Sequence, residues 1–100
     1  MPTAFVTAPP DAAADIAETL VDDRLAACVN RFPCRSTYRW EGAVVDDEEE
    51  ILLVKTTAER FDALEARILD LHPYDVPCIE RFDESSTHDP FAAWIAESVE

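Results

Sequence analysis

Polar and apolar positions change period several times along this chain, and each change marks an element. Thr3 to Thr7 is a short β-branched and apolar run closed by Ala8-Pro9-Pro10, which predicts a strand and then a turn. From Asp11 onward, Ala13, Ile16, Ala17 and Leu20 share one helical face while Asp15, Glu18, Asp22 and Asp23 fall mostly elsewhere, predicting an amphipathic helix that ends near Leu25. From Ala27 to Trp40 the period drops to two, the signature of a strand, with Cys28, Asn30 and Phe32 on one side and Ala27, Val29 and Arg31 on the other. Pro33 cannot donate to a ladder, so this strand must bulge, bend or lie at an edge there.

Glu41-Gly42 supplies a turn with the only glycine in the chain, and a partner strand returns from Val44 through the continuous apolar run Ile51 to Val54. Thr56 and Glu59 have capping-box spacing ahead of Phe61, Leu64, Ile68 and Leu71, a second helix stopped by His72-Pro73. Pro77 to Phe82 alternate as a last strand. Asp89-Pro90 then reads as an N-cap and first-turn proline before the stripe Phe91, Trp94 and Ile95. The order β-α-β-β-α-β plus a terminal helix is an α+β, ferredoxin-like arrangement with an antiparallel sheet, filling residues 1–100 as one domain.

Two helices cover only one face of such a sheet, and Tyr38, Trp40 and Ile51 to Val54 leave the other face too apolar for water. The stretch Ala27 to Trp40 would span about 45 Å at roughly 3.3 Å per residue, against about 35 Å for the globule itself. The hairpin therefore overhangs its domain, and a lone two-stranded ribbon is marginal unless it packs on neighbours. An oligomer is expected.

Charge narrows the partners. With 22 Asp and Glu against 8 Lys and Arg, the formal net charge is −14, which argues against nucleic acid and anionic membrane surfaces. No apolar run is long enough for a span, and no leader-like segment opens the chain, so a cytoplasmic location is expected. All the basic residues but Lys55 are arginines. Molar salt shortens the Debye length to about 3 Å, which suits so acidic a surface to a halophilic, archaeal cytosol. Cys28, Cys34 and Cys78 lack the even, dense spacing of a disulfide scaffold and read as thiols.

Several ordered motifs, Ala26-Ala27-Cys28-Val29-Asn30, Ser36 to Gly42, Leu53-Val54-Lys55-Thr56, His72-Pro73-Tyr74-Asp75-Val76-Pro77 and the closing Trp94, strongly resemble the CutA divalent-cation tolerance family across nearly the whole chain. The resemblance implies a ferredoxin-like subunit, a tight homotrimer shaped like the PII signalling proteins, and binding of copper and other divalent ions. It implies no established reaction. Members with a proposed copper site carry a cysteine where this chain has Val6 and paired histidines where it has Leu71 and His72. Of those ligands His72 alone survives, joined by Cys28 of the Ala-Cys motif, and these two are the candidate metal residues. A C-terminal Asn-x-x-Tyr common in the family reads His88-Asp89-Pro90-Phe91 here.

Neither C-x-x-C nor a paired-histidine spacing is present, and His72 at a helix C-terminus also suits a cap. Cys34, between Pro33 and Arg35, is the thiol expected to be exposed and reactive. The acidic block Asp46 to Glu50 reads as a solvated arm. Lys55, the lone compact cation, is expected to pair with Glu80 or to meet a small anion in an intersubunit cleft with Arg39, Tyr38 and Trp40. A phosphate loop, nucleophile elbow and zinc-protease helix are all missing, so a non-enzymatic role that requires no cofactor is expected.

Overall fold

The computed structural model describes residues 1–100 and contains seven elements: β1 (Pro2–Ala8), α1 (Pro10–Asp22), β2 (Cys28–Trp40), β3 (Ala43–Lys55), α2 (Phe61–Leu71), β4 (Ile79–Asp83) and α3 (Asp89–Ser98). The strands form one antiparallel sheet in the order β2-β3-β1-β4, the split arrangement that the periodicity predicts. Alternation sorts the residues of β1 and β3. Ala4, Val6 and Ala8 of β1 and Leu52 and Val54 of β3 are buried in one cluster with Ile16 and Leu20 of α1 and Leu64 and Ile68 of α2. Each large aliphatic side chain so buried contributes about 1.5–3 kcal/mol, and this cluster holds helices to sheet.

The opposite face carries Phe5, Ile51, Leu53, Phe32 and Phe82. Phe5 and Phe82 stack with ring centroids 5.6 Å apart, yet Phe32 and Phe82 remain 43% and 48% exposed. Only half of the sheet is therefore covered by the chain itself.

The last β1 partner of β3 is Ala8, opposite Glu50. Beyond it β2 and β3 run on alone, from Cys34 opposite Glu49 to Trp40 opposite Ala43, and draw the molecule out to 45 × 26 × 21 Å. Pro33 sits opposite Glu50 in an unbroken register. Of the three options its sequence left open, the edge applies: β2 is an outermost strand, where a missing N–H can face solvent. At the tip Glu41 and Gly42 have φ of 50° and 81°, the paired positive angles of a type I′ hairpin turn.

Element ends depart from the expected positions for identifiable reasons. Helix α1 stops at Asp22, not Leu25, because Arg24 turns left-handed at φ 58° and the N–H groups of Leu25 and Ala26 both reach back to the Leu20 carbonyl, at 3.0 and 3.1 Å. The capping box of Thr56 and Glu59 does not form. Thr56 is buried and donates its hydroxyl to the Leu25 carbonyl at 2.7 Å, so a tertiary bond takes the side chain that a helix start would have used. Thr57 instead accepts the Arg60 N–H at 3.3 Å, and α2 begins at Phe61.

In α3, His88 is the N-cap and Asp89 already the first helical residue; its carboxylate still favours the positive end of the helix. Ile95 and Val99 bury against Ala27 and Met1, while Phe91 and Trp94 stack on each other at 5.8 Å and stay largely exposed, so the predicted stripe is only partly covered. Arg60 Nε donates to the Val99 carbonyl at 2.7 Å and ties the end of α3 to the start of α2. Strand β4 begins at Ile79, the first residue that finds a partner, Val6, on β1.

Candidate functional site

Strand parity decides what the ribbon presents. Cys34, Ser36, Tyr38 and Trp40 share the uncovered side with Asp47 and Glu49 across the hairpin, as the 2.7 Å hydrogen bond from the Tyr38 hydroxyl to Asp47 Oδ2 shows. Arg31, Arg35 and Arg39 take the other side. There Arg31 pairs with Glu50 at 2.6 Å, and Arg35 with Asp46 and Glu48 at 3.3 Å each. The acidic block is thus not a uniformly solvated arm, because Glu49 within it is only 5% exposed.

Glu49 owes its burial to the loop that follows α2. The His72 backbone N–H closes that helix on the Ile68 carbonyl at 2.8 Å, and its ring, 7% exposed, lies inside. His72 Nε2 is 2.7 Å from the Thr7 carbonyl and must donate to it, whereas Nδ1 accepts the Tyr74 N–H at 3.1 Å. Both ring nitrogens are engaged in this arrangement. The imidazole supports the Tyr74 ring at a centroid distance of 4.8 Å, and the Tyr74 hydroxyl donates to Glu49 Oε2 at 3.1 Å. Burial foremost, then the Glu49 charge and this hydrogen bond, push the Tyr74 phenol up to about 12. The Tyr38 phenol is also raised, chiefly by its hydrogen bond to Asp47.

Ribbon and loop enclose a cavity of about 470 Å³ walled by Tyr38, Trp40, Glu49, Tyr74, Asp75 and Cys78 among others. Burial, then the neighbouring Glu80 charge, raises the Cys78 thiol above its ordinary value, and Cys78 Sγ donates to Glu80 Oε1 at 3.7 Å. Of the expected cleft residues, Tyr38 and Trp40 line this cavity; Arg39, Lys55 and Glu80 do not.

Lys55 belongs to a second cluster at the other end of β1. It sits opposite Thr3 on one side and Cys28 on the other, and its Nζ donates to Thr3 Oγ1 at 3.3 Å. Thr3 in turn donates to Glu84. Lys55 makes no ion pair with Glu80, which stands opposite Phe5. Burial raises the Cys28 thiol against the pull of the Lys55 cation, so Cys28 is held in its protonated form, the poorer metal ligand.

The two candidate metal residues are consequently apart. His72 anchors at Thr7 and Cys28 lies level with Thr3, four residues back along β1, or about 13 Å of strand. Residue patterns alone missed Glu49, Tyr74 and Asp75. Parity across the hairpin was the available signal for Glu49, which it places opposite Cys34 on the same side of the ribbon as Tyr38.

A split sheet, a projecting ribbon and a half-open face define a chain of the PII-like fold class. The solved structure of the PII-like protein CutA from Nostoc sp. PCC 7120 superposes with a TM-score of 0.97 at 28% identity, covering 100% of this chain and 98% of that one. CutA from Pyrococcus horikoshii does so with a TM-score of 0.97 at 35% identity over 100% of both chains. The sequence profile of the CutA1 divalent ion tolerance protein matches residues 3–98. The divalent-cation tolerance protein CutA of Thermus thermophilus is 44% identical over 97 residues, which cover 95% of this chain and 94% of that protein. This chain belongs to the CutA1 divalent ion tolerance family.

Proposed function

We propose that the chain acts as a non-enzymatic homotrimer in the cytoplasm, responding to divalent metal ions and binding copper or a similar cation weakly. The observation that carries this reading is the apolar sheet face left open beside an overhanging ribbon, which a single chain cannot shelter. Within one chain no three His, Cys, Asp or Glu side chains converge on a common point. A metal at Cys28, or at His72 once the Tyr74 N–H releases Nδ1, therefore takes its remaining ligands from sister copies or from water, and exchanges easily. Three unpaired thiols agree with a reducing compartment.

Sedimentation in molar salt, combined with copper titration, tests the proposal. The expected result is a species of three chain masses that takes up copper reversibly and loses uptake in Cys28→Ser. A stable single-copy species, or copper uptake unchanged by Cys28→Ser and His72→Ala, would count against it.

One observation favours a second reading, a PII-like sensor of a small anion. Lys55 lies half-buried at the uncovered face and bonds only a hydroxyl, which leaves its charge free for a carboxylate or phosphate. Such a ligand at about 100 times its dissociation constant adds roughly 2.7 kcal/mol of stability, and Lys55→Gln would abolish that gain.

A further inference from the structure

We infer that the cavity between the ribbon and the Tyr74 loop is a binding site for a small organic cation, a protonated or quaternary amine held by Glu49 and enclosed by the rings of Tyr38, Trp40 and Tyr74. The volume, about 470 Å³, lies within the roughly 300–1,000 Å³ of small-molecule sites. The sign of the ligand follows from the walls, where Glu49 and Asp75 are present and neither lysine nor arginine is. Lys55 and Arg39, the cations an anion would need, are elsewhere.

Glu49 gives the argument its weight. It is 5% exposed, its Oε2 accepts from Tyr74, and its Oε1 accepts no hydrogen bond from the chain. No fully buried side-chain oxygen lacks a partner, so Oε1 keeps its contact with water, and it is the carboxylate oxygen that a cation entering the cavity can meet. The Tyr74 and Tyr38 hydroxyls are occupied with Glu49 and Asp47, leaving the ring faces as what these residues can offer. Aromatic faces attract cations through their quadrupoles, most strongly for tryptophan and for ammonium groups that shed water easily. A hard divalent ion is the poorer fit, since it needs about six or more oxygens where this cavity supplies aromatic walls.

The inference requires that the ribbon's uncovered side stay open beside the cavity in the assembly, and it has its own test. In a Trp94→Phe background the remaining indole is Trp40, and its fluorescence is followed while choline chloride or tetramethylammonium chloride is added at constant molar ionic strength. Saturable quenching by both is expected, with none from sodium chloride or sodium succinate. Glu49→Gln should weaken choline by roughly tenfold or more, the scale of one charge-assisted contact. Asp75→Asn should weaken it less, and Lys55→Gln should leave it unchanged. Because Glu49 is buried, Asp75→Asn, on an exposed loop, keeps the test decisive should Glu49→Gln fail to fold. A linear response equal to that of sodium chloride, a preference for succinate, or equal choline affinity in both carboxamide variants overturns the inference. Sedimentation run alongside separates the two proposals. An intact oligomer indifferent to choline means that a sister copy fills the cavity and overturns this inference alone, whereas a single-copy species that binds choline overturns the assembly reading alone.

Discussion

Tyr74 shows how one side chain can serve two structures at once. Its backbone N–H satisfies a buried imidazole and its hydroxyl a buried carboxylate, so the phenol proton is retained well beyond its ordinary range. The folded state holds this proton up to about 12 where the ordinary value is 10.0, so the contribution is complete below the lower value. Between the two, the folded chain binds more protons than the unfolded one, and stability falls as pH rises. Unfolding followed across that alkaline window should show a shallower loss in Tyr74→Phe than in the parent, with Tyr38 supplying a residual slope of the same sign. Identical slopes would mean that Tyr74 does not carry the alkaline loss. None of this was legible in the sequence, where Tyr74 is one letter of a family motif. A phenol reaching Glu49 from a loop far along the chain is a tertiary fact, and no local period encodes it.

At the scale of elements the sequence was a good guide to what forms and a poor one to where it stops. Period-two and helical spacings in Ala27 to Trp40 and in Ala13 to Leu20 arise from burial on one face, a constraint written directly into residue order. Ends depend on which hydroxyl finds which carbonyl. Thr56 had two suitors and the Leu25 carbonyl won, which moved the start of α2. The hairpin tip was the exception, since its glycine has only local work to do. A methyl group at Gly42 would meet nothing within 4 Å, so the residue answers to backbone angle alone. At φ 81° an alanine is strained by about 1–2 kcal/mol. Gly42→Ala should lower unfolding free energy by that amount in denaturant melts while leaving the core intact. A neutral effect would show that the tip relaxes to another turn type without consequence.

Over the whole molecule, charge and shape pull against each other. Each chain carries a formal −14, yet the assembly proposed above brings several chains with open faces into contact. At about 10 mM salt the Debye length is about 30 Å, longer than the molecule's 26 Å breadth, and neighbouring chains repel in full; at about 1 M it is about 3 Å. Sedimentation should therefore show the assembly at molar salt and smaller species after dialysis to low salt. An unchanged mass over that range would argue that the acidic surface is not an adaptation to brine. The open face was legible only in part: Tyr38, Trp40, Ile51 and Leu53 do face away from the helices, whereas Leu52 and Val54 of the same run turn inward and are buried under them. The cavity was half legible: Tyr38 and Trp40 follow from alternation, while Asp75 and Tyr74 arrive on a loop whose path only His72 and Thr7 determine.

The place of β1 in the middle of the sheet has a bearing on how the chain is made. Its first residues, Thr3 among them, are flanked by Lys55 on one side and Phe82 on the other. Thr3 precedes its β3 partner Lys55 by 52 residues and its β4 partner Phe82 by 79, so one edge of β1 stays bare even after β3 has been made. Such distant pairings slow folding and expose sticky edges meanwhile.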